Sequence, residues 1–501
     1  MKLKDLIEEL NYTLLQGDEN VIVDTLTSDS RKVCHNSAFV CIKGAVSDGH
    51  KYIPDVVSSG AAAIIVQSGS DLSLFKELLS KRKDVTVIMT DNTRFALSEM
   101  SAKYFGSPAD KLFKIGITGT KGKTTTTYMI RNVLEACGIK TGLIGTIETI
   151  IGEKVTPAKN TTPESYEIHR SFKEMTDEGC KAVVMEVSSQ GLKLDRTAGI
   201  MFDIGVFTNL SPDHIGPNEH ESFEEYLECK SKLFRQCKVG IVNSDDKYTE
   251  QIIKAATCKI ETYGVKKDAD LKAQNVQIYH ERGKIGLSYD CLGLMDIHVE
   301  LGMPGEFSVY NSLCAIAVTR HFNVDKSVLS DTLKTVKVKG RIEIVKVSDK
   351  FTLLIDYAHN AMALESILNT LKQYNPHRLV CLFGCGGNRS RDRRFQMGEV
   401  SGRLADLTVI TSDNPRFEEP DAIIDDIKTG VSRTNGRYVD ITDRKEAIKY
   451  VIKNAEPGDI IVLAGKGHED YQEIRGVKYP MDERVLIDES VNELKSEGWE
   501  P

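Results

Sequence analysis

The feature that most constrains this chain is a glycine-rich loop between an apolar run and a helical pattern. The run Leu112–Ile117 has the composition of a buried strand, and apolar residues recur at helical spacing over residues 128–134. Between them lies the sequence TGTKGKTT, residues 118–125. Strand, loop and helix in this order predict a phosphate-binding loop, because loop amides and a helix amino end attract phosphate oxygens.

The residue types in this loop indicate a nucleotide with a bound metal ion. Lys123 is expected to reach the β- and γ-phosphates, and the Thr124 hydroxyl to face Mg²⁺. Ile117 stands where the long form of the motif has a glycine, so the match is to the shorter pattern GTxGKT. An ordinary glycine turn before a helix is the alternative. The predicted ATP contacts here are Gly119, Thr120, Lys121, Gly122, Lys123, Thr124 and Thr125.

The chain length and the positions of glycine and proline predict a three-domain α/β protein. A chain of 501 residues is expected to form about three domains. Glycine and proline mark breaks near Gly106–Asp110 and Val336–Arg341, which gives predicted domains at 1–108, 109–336 and 337–501. Short apolar runs alternate with helical patterns, so we expect parallel sheets whose ligands lie at the carboxyl ends of the strands.

Composition excludes several other classes of protein. The net charge is -8 with both signs mixed, which argues against a nucleic-acid binder. The 11 cysteines include no paired CxxC units, and we expect a reduced, cytoplasmic chain. The start MKLKDLIEEL predicts a short amphipathic helix rather than a signal peptide, and no apolar stretch is long enough for membrane insertion. A basic cluster lacks interleaved aromatics; it comprises Arg389, Arg391, Arg393 and Arg394.

Further motifs follow the loop pattern along nearly the whole chain. The shortened loop GTKGKTTT resembles that of the Mur ligases and the related folylpolyglutamate synthases. The amino-terminal segment DSRKV at 29–33 and the central segments NTT at 160–162, MEVSS at 185–189 and TNL…DH at 208–214 resemble Mur ligases. So do Gly305…Asn311 and, toward the carboxyl end, DYAH at 356–359, FGCGG at 383–387, DNPR at 413–416 and AGKGHE at 464–469.

The resemblance implies a fold and an activity. A first domain would bind the UDP end of a precursor, a central P-loop domain ATP, and a Rossmann-like third domain the incoming amino acid. The enzyme would join a diamino acid to UDP-N-acetylmuramoyl-L-alanyl-D-glutamate through an acyl phosphate, with ATP as co-substrate and Mg²⁺ as cofactor. It would act in peptidoglycan synthesis, and so in growth and division. A monomer without nucleic-acid partners is expected.

The same resemblance implies a catalytic set with Lys123. Glu186 ends an apolar run and His214 follows another, and both would serve the metal together with Thr124. The family lysine that matches Lys230 carries a carbamate, which turns a cation into an oxygen ligand. Cys229 occupies the small position before it. The alternatives are surface or capping roles for Glu186 and His214, and a solvated helix lysine at position 230.

Substrate contacts are implied in the same way. Those to the UDP end are Ser30, Ala45, Val46 and Ser47. Those to the muramyl peptide are Asn160, Thr161, Thr162, Ser188 and Arg196, and further ATP contacts are Asn311 and Arg341. Arg196 is the natural counter-ion of a substrate carboxylate. Ordinary turn, junction and core roles are the alternatives.

The DNPR segment bears on which amine is used. A guanidinium at Arg416, with Arg389 nearby, can clamp the distal carboxylate that meso-diaminopimelate has and lysine lacks. Asp413 and Glu469 would hold the distal ammonium, and Gly465 would let the ligand approach. The predicted diaminopimelate contacts are Arg389, Asp413, Asn414, Pro415, Arg416, Gly465 and Glu469. An Asx–Pro turn with Arg416 on a solvated face, and lysine or another amine as substrate, are the alternatives.

Three other functions compete with this interpretation. A folylpolyglutamate synthase or neighbouring ligase would share the ATP chemistry, but the DNPR and DSR patterns count against it. A non-catalytic paralogue would bind the precursor only, and retention of Lys123, Glu186, His214 and Lys230 counts against that. A plain P-loop NTPase regulator would consume ATP without either co-substrate.

Overall fold

The computed structural model describes residues 1–44, 47–213, 215–216, 219–281 and 284–500, apart from the side chain of Leu74. These residues form two compact units, one of residues 1–270 with 314–323, and one of residues 271–313 with those from 324 onward. Both units are of the predicted α/β class. Within the described ranges, no helix has both the length and the apolar character needed to cross a bilayer.

The amino-terminal part of the first unit is a five-stranded sheet with helices on both faces. Its elements are β1 (Tyr12–Gln16), β2 (Thr25–Thr27), β3 (Ser37–Val40), β4 (Ala61–Gln67), β5 (Thr86–Thr90), α1 (Leu3–Ile7), α2 (Ile53–Ser58), α3 (Lys76–Lys81) and α4 (Thr93–Tyr104). The strand order is β1-β5-β4-β3-β2, with only the β1–β5 pair antiparallel among these strands. Leu6 of α1 packs in the core, so the predicted amphipathic helix is confirmed.

The second sheet of this unit carries the glycine-rich loop. Its strands are β6 (Phe113–Thr118), β7 (Thr141–Ile144), β8 (Glu148–Ile151), β9 (Lys154–Pro157), β10 (Ala182–Glu186), β11 (Phe202–Phe207), β12 (Cys237–Asn243) and β13 (Lys259–Gly264). Its helices are α5 (Lys123–Ala136), α6 (Ser165–Asp177), α7 (Ser189–Lys193), α8 (Phe223–Ser231) and α9 (Thr249–Ile253).

In this sheet the strand order is β13-β12-β11-β6-β10-β7-β8-β9. The strands from β13 to β7 are parallel, while β8 and β9 add an antiparallel edge. Every residue of β10 is buried, as expected of a parallel strand covered on both faces. The carboxyl ends of β6, β10 and β11 therefore share one edge, where their loops meet.

The second unit contains an antiparallel ribbon and a mostly parallel sheet. The ribbon consists of β14 (Leu271–Glu281), β15 (Lys284–Gly293) and β16 (Ile297–Leu301), followed by α10 (Glu306–Thr319) and α11 (Lys326–Thr335). The sheet strands are β17 (Glu343–Val345), β18 (Thr352–Asp356), β19 (Leu379–Phe383), β20 (Leu407–Ile410), β21 (Tyr438–Asp440) and β22 (Ile460–Ala464).

The helices around this sheet are α12 (Ala361–Lys372), α13 (Arg391–Leu404), α14 (Pro420–Val431), α15 (Arg444–Lys453) and α16 (Glu483–Ser496), and a hairpin follows β22 as β23 (Tyr471–Ile474) and β24 (Val477–Pro480). The strand order is β17-β18-β22-β19-β20-β21, with β17 antiparallel to β18. The strands β18, β19, β20 and β22 are parallel, so the segments DYAH, FGCGG, DNPR and AGKGHE all leave the same edge.

The boundary between the first two predicted domains falls inside one compact unit. The sheet of β1 to β5 and the sheet of β6 to β13 both belong to it. The boundaries at 108/109 and 336/337 therefore stay predictions.

Candidate functional site

The phosphate loop joins β6 to α5 and is braced by the segment after β11. Gly119 and Gly122 have φ angles of 148° and 85°. A side chain at Gly119 would overlap that of Thr208, so the close approach requires glycine. The Thr120 N–H donates to the Asn209 carbonyl at 2.8 Å, and the Lys121 N–H to Asn209 Oδ1 at 3.0 Å. The TNL segment thus sets the shape of the loop.

Two lysine side chains converge on the loop backbone. Lys123 Nζ donates to the carbonyl oxygens of Gly119 at 2.8 Å and Thr120 at 3.1 Å. Lys230 Nζ, from α8, donates to the Gly119 oxygen at 2.9 Å and lies 4.5 Å from the centre of the Tyr226 ring. Burial, and then the charge of Lys123, hold the pKa of Lys230 well below its ordinary value. Lys230 is only 1% exposed, so it is not a solvated helix lysine.

Glu186 lies at the edge that carries the loop because β10 runs parallel beside β6, with Glu186 opposite Ile117. Its carboxylate is buried. Oε2 accepts hydrogen bonds from the Thr124 hydroxyl at 3.1 Å and the Thr146 hydroxyl at 2.9 Å, and Oε1 from the Thr146 N–H at 2.8 Å. No lysine or arginine among the described residues forms an ion pair with it.

This environment fits a hard divalent cation. A buried carboxylate surrounded only by neutral donors is costly unless a charge compensates it. The Glu186 carboxylate and the Thr124 hydroxyl offer oxygen ligands of the kind that Mg²⁺ prefers. His214, the remaining predicted side-chain ligand on this edge, lies outside the described residues, as do Ala45 and Val46 of the predicted UDP contacts.

The predicted muramyl-peptide residues form one hydrogen-bonded group, with the exception of the exposed Asn160. The Thr162 hydroxyl donates to the Glu186 carbonyl at 2.9 Å and accepts from the Ser188 N–H at 2.9 Å. The Thr161 hydroxyl lies 3.1 Å from that of Thr146. These contacts tie the substrate-side threonines to the strand that ends in the buried carboxylate.

Arg196 extends this group toward the amino-terminal sheet. It donates to the Thr162 carbonyl at 2.9 Å and pairs with Glu164 at 2.8 Å. Glu164 also pairs with Arg94 of α4 at 3.2 Å. Two guanidinium groups therefore share one carboxylate beside the threonines, which leaves one positive charge in excess among these three groups for a substrate carboxylate.

The described UDP-end residues lie in two turns of the amino-terminal sheet. Ser30 opens a 3-10 turn whose preceding residue, Asp29, accepts from the Arg31 N–H and pairs with its guanidinium at 2.8 Å. The Ser47 hydroxyl lies 3.1 Å from the Tyr52 hydroxyl. Both serines are half-buried.

In the second unit, Arg341 belongs to a cluster of rings. Its guanidinium lies 4.8 Å from the centre of the Tyr357 ring, which in turn packs at 4.6 Å against both His359 and His468. Burial, and then the charge of Arg341, lower the pKa of His468 to about 4. Asn311 lies buried on α10. The DYAH segment thus supports Arg341 through the Tyr357 ring and through the charge of the Asp356 carboxylate, whose pKa is raised by burial and lowered to a smaller extent by Arg341.

The DNPR segment and the AGKGHE segment are joined by a buried lysine. Lys466 Nζ donates to Asn414 Oδ1 and Glu469 Oε2, each at 3.0 Å, and to the Tyr471 carbonyl. Asn414 Nδ2 also donates to Glu469 Oε2 at 2.9 Å. Asparagine, glutamate and lysine therefore hold one another in place at the ends of β20 and β22.

Arg416 lies beside this group with a backbone φ of 54°. Its Nε donates to Glu473 Oε2 at 3.1 Å and its Nη1 to the Gly387 carbonyl at 2.8 Å. The side chain is only 20% exposed, so Arg416 does not lie on a solvated face. Arg389 is exposed and lies two positions beyond Gly387 in the chain. A Cβ at Gly465 would lie 3.2 Å from Asp413 Oδ2, so the Asp413 carboxylate lies close to the backbone at Gly465.

Two members of the neighbouring basic cluster are neutralised by ion pairs. Arg394 is buried and pairs with Asp426 at 2.9 Å and Glu418 at 2.8 Å, and Arg391 also pairs with Asp426. Because Asp426 lies on α14, these two arginines hold α13 against α14.

Three residues that sequence reasoning did not assign take part in these sites. Thr146 supplies two of the hydrogen bonds to Glu186, and Tyr226 contacts both the Thr120 hydroxyl and Lys230. Lys466 joins the two loops of the second unit. Thr146 and Lys466 each follow a glycine just past a buried strand, which is the signal that would have identified them.

Three family models match this chain. Residues 23–105 match the model described as Mur ligase family, catalytic domain, residues 117–319 the Mur ligase middle domain, and residues 340–467 the Mur ligase glutamate ligase domain. Each match falls within one of the three predicted domains and together they span most of the chain.

Individual relatives match over nearly their full length. The UDP-N-acetylmuramoyl-L-alanyl-D-glutamate--2,6-diaminopimelate ligase of Clostridium perfringens is 41% identical over 494 residues, which are 97% of this chain and 99% of the relative. A Clostridium acetobutylicum protein with the same name, numbered 1, is 42% identical over 497 residues, 99% of this chain and 100% of its own. A solved structure of a ligase with this name has a TM-score of 0.73 and 28% identity, and the match covers 99% of both chains.

Proposed function

This chain belongs to the Mur ligase family, and we propose that it attaches meso-2,6-diaminopimelate to UDP-N-acetylmuramoyl-L-alanyl-D-glutamate. It is an ATP-dependent, amide-bond-forming ligase of peptidoglycan synthesis. The observation that carries the assignment is identity of about 40% over nearly the whole length to ligases named for this reaction. The DNPR segment of the second unit, which contains Arg416, supports diaminopimelate as the amine.

The reaction has two steps. An oxygen of the D-glutamyl γ-carboxylate attacks the γ-phosphorus of ATP, ADP leaves, and an acyl phosphate forms. The amine of the diamino acid then attacks the acyl carbon, phosphate leaves, and the nitrogen loses a proton. Both steps bring anions together, so the protein must supply positive charge and positioned donors.

The phosphate loop supplies the positive charge and the positioned hydrogen-bond donors for the nucleotide. Its backbone N–H groups and the amino end of α5 bind the phosphates, and Lys123 neutralises the transferred group. Glu186 and Thr124 would hold Mg²⁺, with His214 and carbamylated Lys230 as further proposed ligands. When bound, the ion lowers the repulsion between the carboxylate and the phosphates. Asn311 and Arg341 are proposed as further ATP contacts.

The environment of Lys230 favours carbamate formation. The neutral amine is the form that attacks CO₂: a nitrogen–carbon bond forms and one proton is released. Burial and Lys123 lower the pKa of Lys230, which raises the neutral fraction near neutral pH. The resulting carbamate carries a negative charge that would pair with Lys123 and the metal instead of repelling them.

The remaining substrate contacts are proposed from the sites already described. Arg196, Thr161, Thr162, Ser188 and Asn160 would hold the muramyl peptide, while Ser30 and residues 45–47 would bind the UDP end. The three domains are proposed at 1–108, 109–336 and 337–501. We propose a cytoplasmic monomer without nucleic-acid partners.

The amine is held by complementary charge. Asp413 and Glu469 would bind the distal ammonium, Gly465 leaves room beside Asp413, and Arg416 with Arg389 would bind the distal carboxylate. Asn414 and Pro415 fix the turn that presents Arg416. Lysine has no distal carboxylate, so it could not accept hydrogen bonds from the donors of Arg416 that Glu473 and the Gly387 carbonyl leave over.

The direct test is a ligation assay with mass spectrometry. The protein is incubated with UDP-N-acetylmuramoyl-L-alanyl-D-glutamate, ATP and Mg²⁺, and with meso-diaminopimelate, lysine or ornithine in parallel. Product with diaminopimelate alone is expected. Product mainly with lysine would retain the ligase chemistry and overturn the amine assignment, and ATP consumption without any product would overturn both.

A further inference from the structure

A second group of ligating atoms lies near the catalytic edge of the first unit. His220, Glu225 and Cys229 place an imidazole nitrogen, a carboxylate oxygen and a sulfur within 4.8 Å of one another. Glu225 and Cys229 are one helical turn apart on α8, so they share a face of that helix. His220 precedes α8 and is held by its backbone, since the Gly216 N–H donates to the His220 carbonyl at 3.1 Å.

The imidazole of His220 has one nitrogen without a hydrogen bond. The side chain is fully buried. Nε2 lies 2.9 Å from the Ser189 hydroxyl, whereas Nδ1 makes no hydrogen bond and its carboxylate neighbour, Glu225 Oε2, stands 3.5 Å away. A buried polar nitrogen without a partner is unfavourable unless something binds it. Of the two ring nitrogens, Nδ1 is the one that lies beside the Glu225 carboxylate.

We propose that His220, Glu225 and Cys229 form a binding site for a borderline divalent cation such as Zn²⁺, separate from the Mg²⁺ site at Thr124 and Glu186. Nitrogen, carboxylate oxygen and thiolate are together the ligand types that Zn²⁺ takes in proteins, and a thiolate disfavours Mg²⁺. Three protein ligands leave a fourth position of a tetrahedral site for water. Side-chain rotation must shorten the longest separation by about 1 Å to reach Zn²⁺ coordination distances.

Several groups around the site oppose a cation, and binding must overcome them. Lys193 pairs with Glu225 Oε1 at 2.8 Å, and Oε2, the oxygen nearer His220, accepts a hydrogen bond from the Glu221 N–H at 2.8 Å. Lys230 is the next residue after Cys229, and it opposes a cation as the protonated amine but not as the carbamate proposed above. Burial raises the pKa of the Cys229 thiol, and burial also lowers that of His220. A bound metal deprotonates a thiol and requires neutral imidazole, so the cation binds with release of the thiol proton.

A cation bound by these three residues would link His220 to α8. Cys229 is adjacent to Lys230, whose Nζ contacts the phosphate loop. The cation would therefore restrain the helix that carries the lysine, at a point one residue away from it.

The test uses Co²⁺ as a spectroscopic substitute for Zn²⁺. The full-length protein, freed of metals by chelation and kept in excess Mg²⁺, is titrated with Co²⁺ while absorption from thiolate-to-Co²⁺ charge transfer is recorded. The band is expected in the wild type and should disappear when Zn²⁺ is added. Cys229→Ala should abolish the band, and Glu225→Gln should weaken Co²⁺ binding by at least about 10-fold, because a ligand is lost.

Cys34→Ser is the matched control and should keep the band, since Cys34 is an exposed thiol in the loop before β3. Thermal unfolding of each variant checks that it is folded. Because the wild-type titration is read without any variant, absence of the band there overturns the proposal. So does a band of equal strength in folded Cys229→Ala, which would mean binding at other thiols.

Discussion

Lys123 and Lys230 donate to the same acceptor, the carbonyl oxygen of Gly119, at 2.8 Å and 2.9 Å. Two ammonium groups this close repel each other, and the buried one has the lowered pKa. The arrangement therefore favours chemistry that removes the positive charge of Lys230.

Replacing Lys230 should test whether the side chain acts as a carbamate. Lys230→Ala is expected to lower kcat by about 100-fold, because an oxygen ligand of the metal is lost. Formate, acetate or propionate should restore part of the rate by supplying carboxylate oxygens in the space left behind. Lys232→Ala is the control, since Lys232 lies two residues further along the chain and donates a long hydrogen bond, 3.4 Å, to the Leu192 carbonyl. Full activity in Lys230→Ala would contradict the role.

Thr146 should act by positioning Glu186. Thr146→Val removes the hydroxyl donor to Oε2 while keeping the backbone donor to Oε1. The Mg²⁺ concentration needed for half-maximal rate should rise by about 10-fold, in line with the loss of a hydrogen bond to a metal ligand. KM for the diamino acid should stay unchanged. Thr156→Val, on an exposed strand, is the control. An unchanged Mg²⁺ dependence would show that the hydroxyl has only a structural role.

Arg416 should decide between amines. Arg416→Ala is expected to lower kcat/KM for meso-diaminopimelate by about 100-fold, because a paired guanidinium contributes about 3 kcal/mol. The rate with lysine should change little. Arg475→Ala is the control, as Arg475 lies on the hairpin that carries Glu473, the partner of Arg416, and its side chain is 77% exposed. Equal losses with both amines would mean that Arg416 supports the fold of the loop, not the choice of substrate.

His169 should make the first unit acid-sensitive. Burial lowers its pKa to about 4, and neither ring nitrogen has a hydrogen-bond partner. With an ordinary pKa of 6.5 when unfolded, the unfolded chain binds more protons between pH 6.5 and 4. The free energy of unfolding is therefore unaffected by His169 above pH 6.5. It decreases as the pH falls, by about 2 kcal/mol at pH 5.

His169→Leu should consequently show a smaller drop in Tm than the wild type when the pH is lowered from 7 to 5, as about 2 kcal/mol of acid destabilisation is removed. Calorimetry at the two pH values measures it. The exposed His377, replaced by Gln, should behave like the wild type. Parallel Tm losses in His169→Leu and the wild type would show that His169 titrates normally.

The sequence pattern predicted the strands and loops that carry the site better than the contacts within it. The run ending at Glu186 and the loop before α5 could be assigned because buried parallel strands leave a clear apolar signal. The partnership of Thr146 with Glu186 could not, since it depends on which strands are neighbours. The resemblance selected Lys230 by the small Cys229 before it, but the apolar pattern did not predict that Lys230 is buried while Lys232 is partly exposed. The pairing of Arg391 and Arg394 with Asp426 could not be predicted either, because it depends on how α13 packs against α14.

The buried Lys466 makes the residues around it depend on one another. Its ammonium is buried and donates hydrogen bonds to Asn414, Glu469 and the Tyr471 carbonyl. Exchanging Asn414 or Glu469 alone would leave a buried charge under-coordinated, at a cost of about 3–5 kcal/mol. A change of amine preference by single steps through either residue would thus pass through an unstable intermediate. Evolution toward another diamino acid, or its redesign in the laboratory, must alter the two loops together or begin at Arg416.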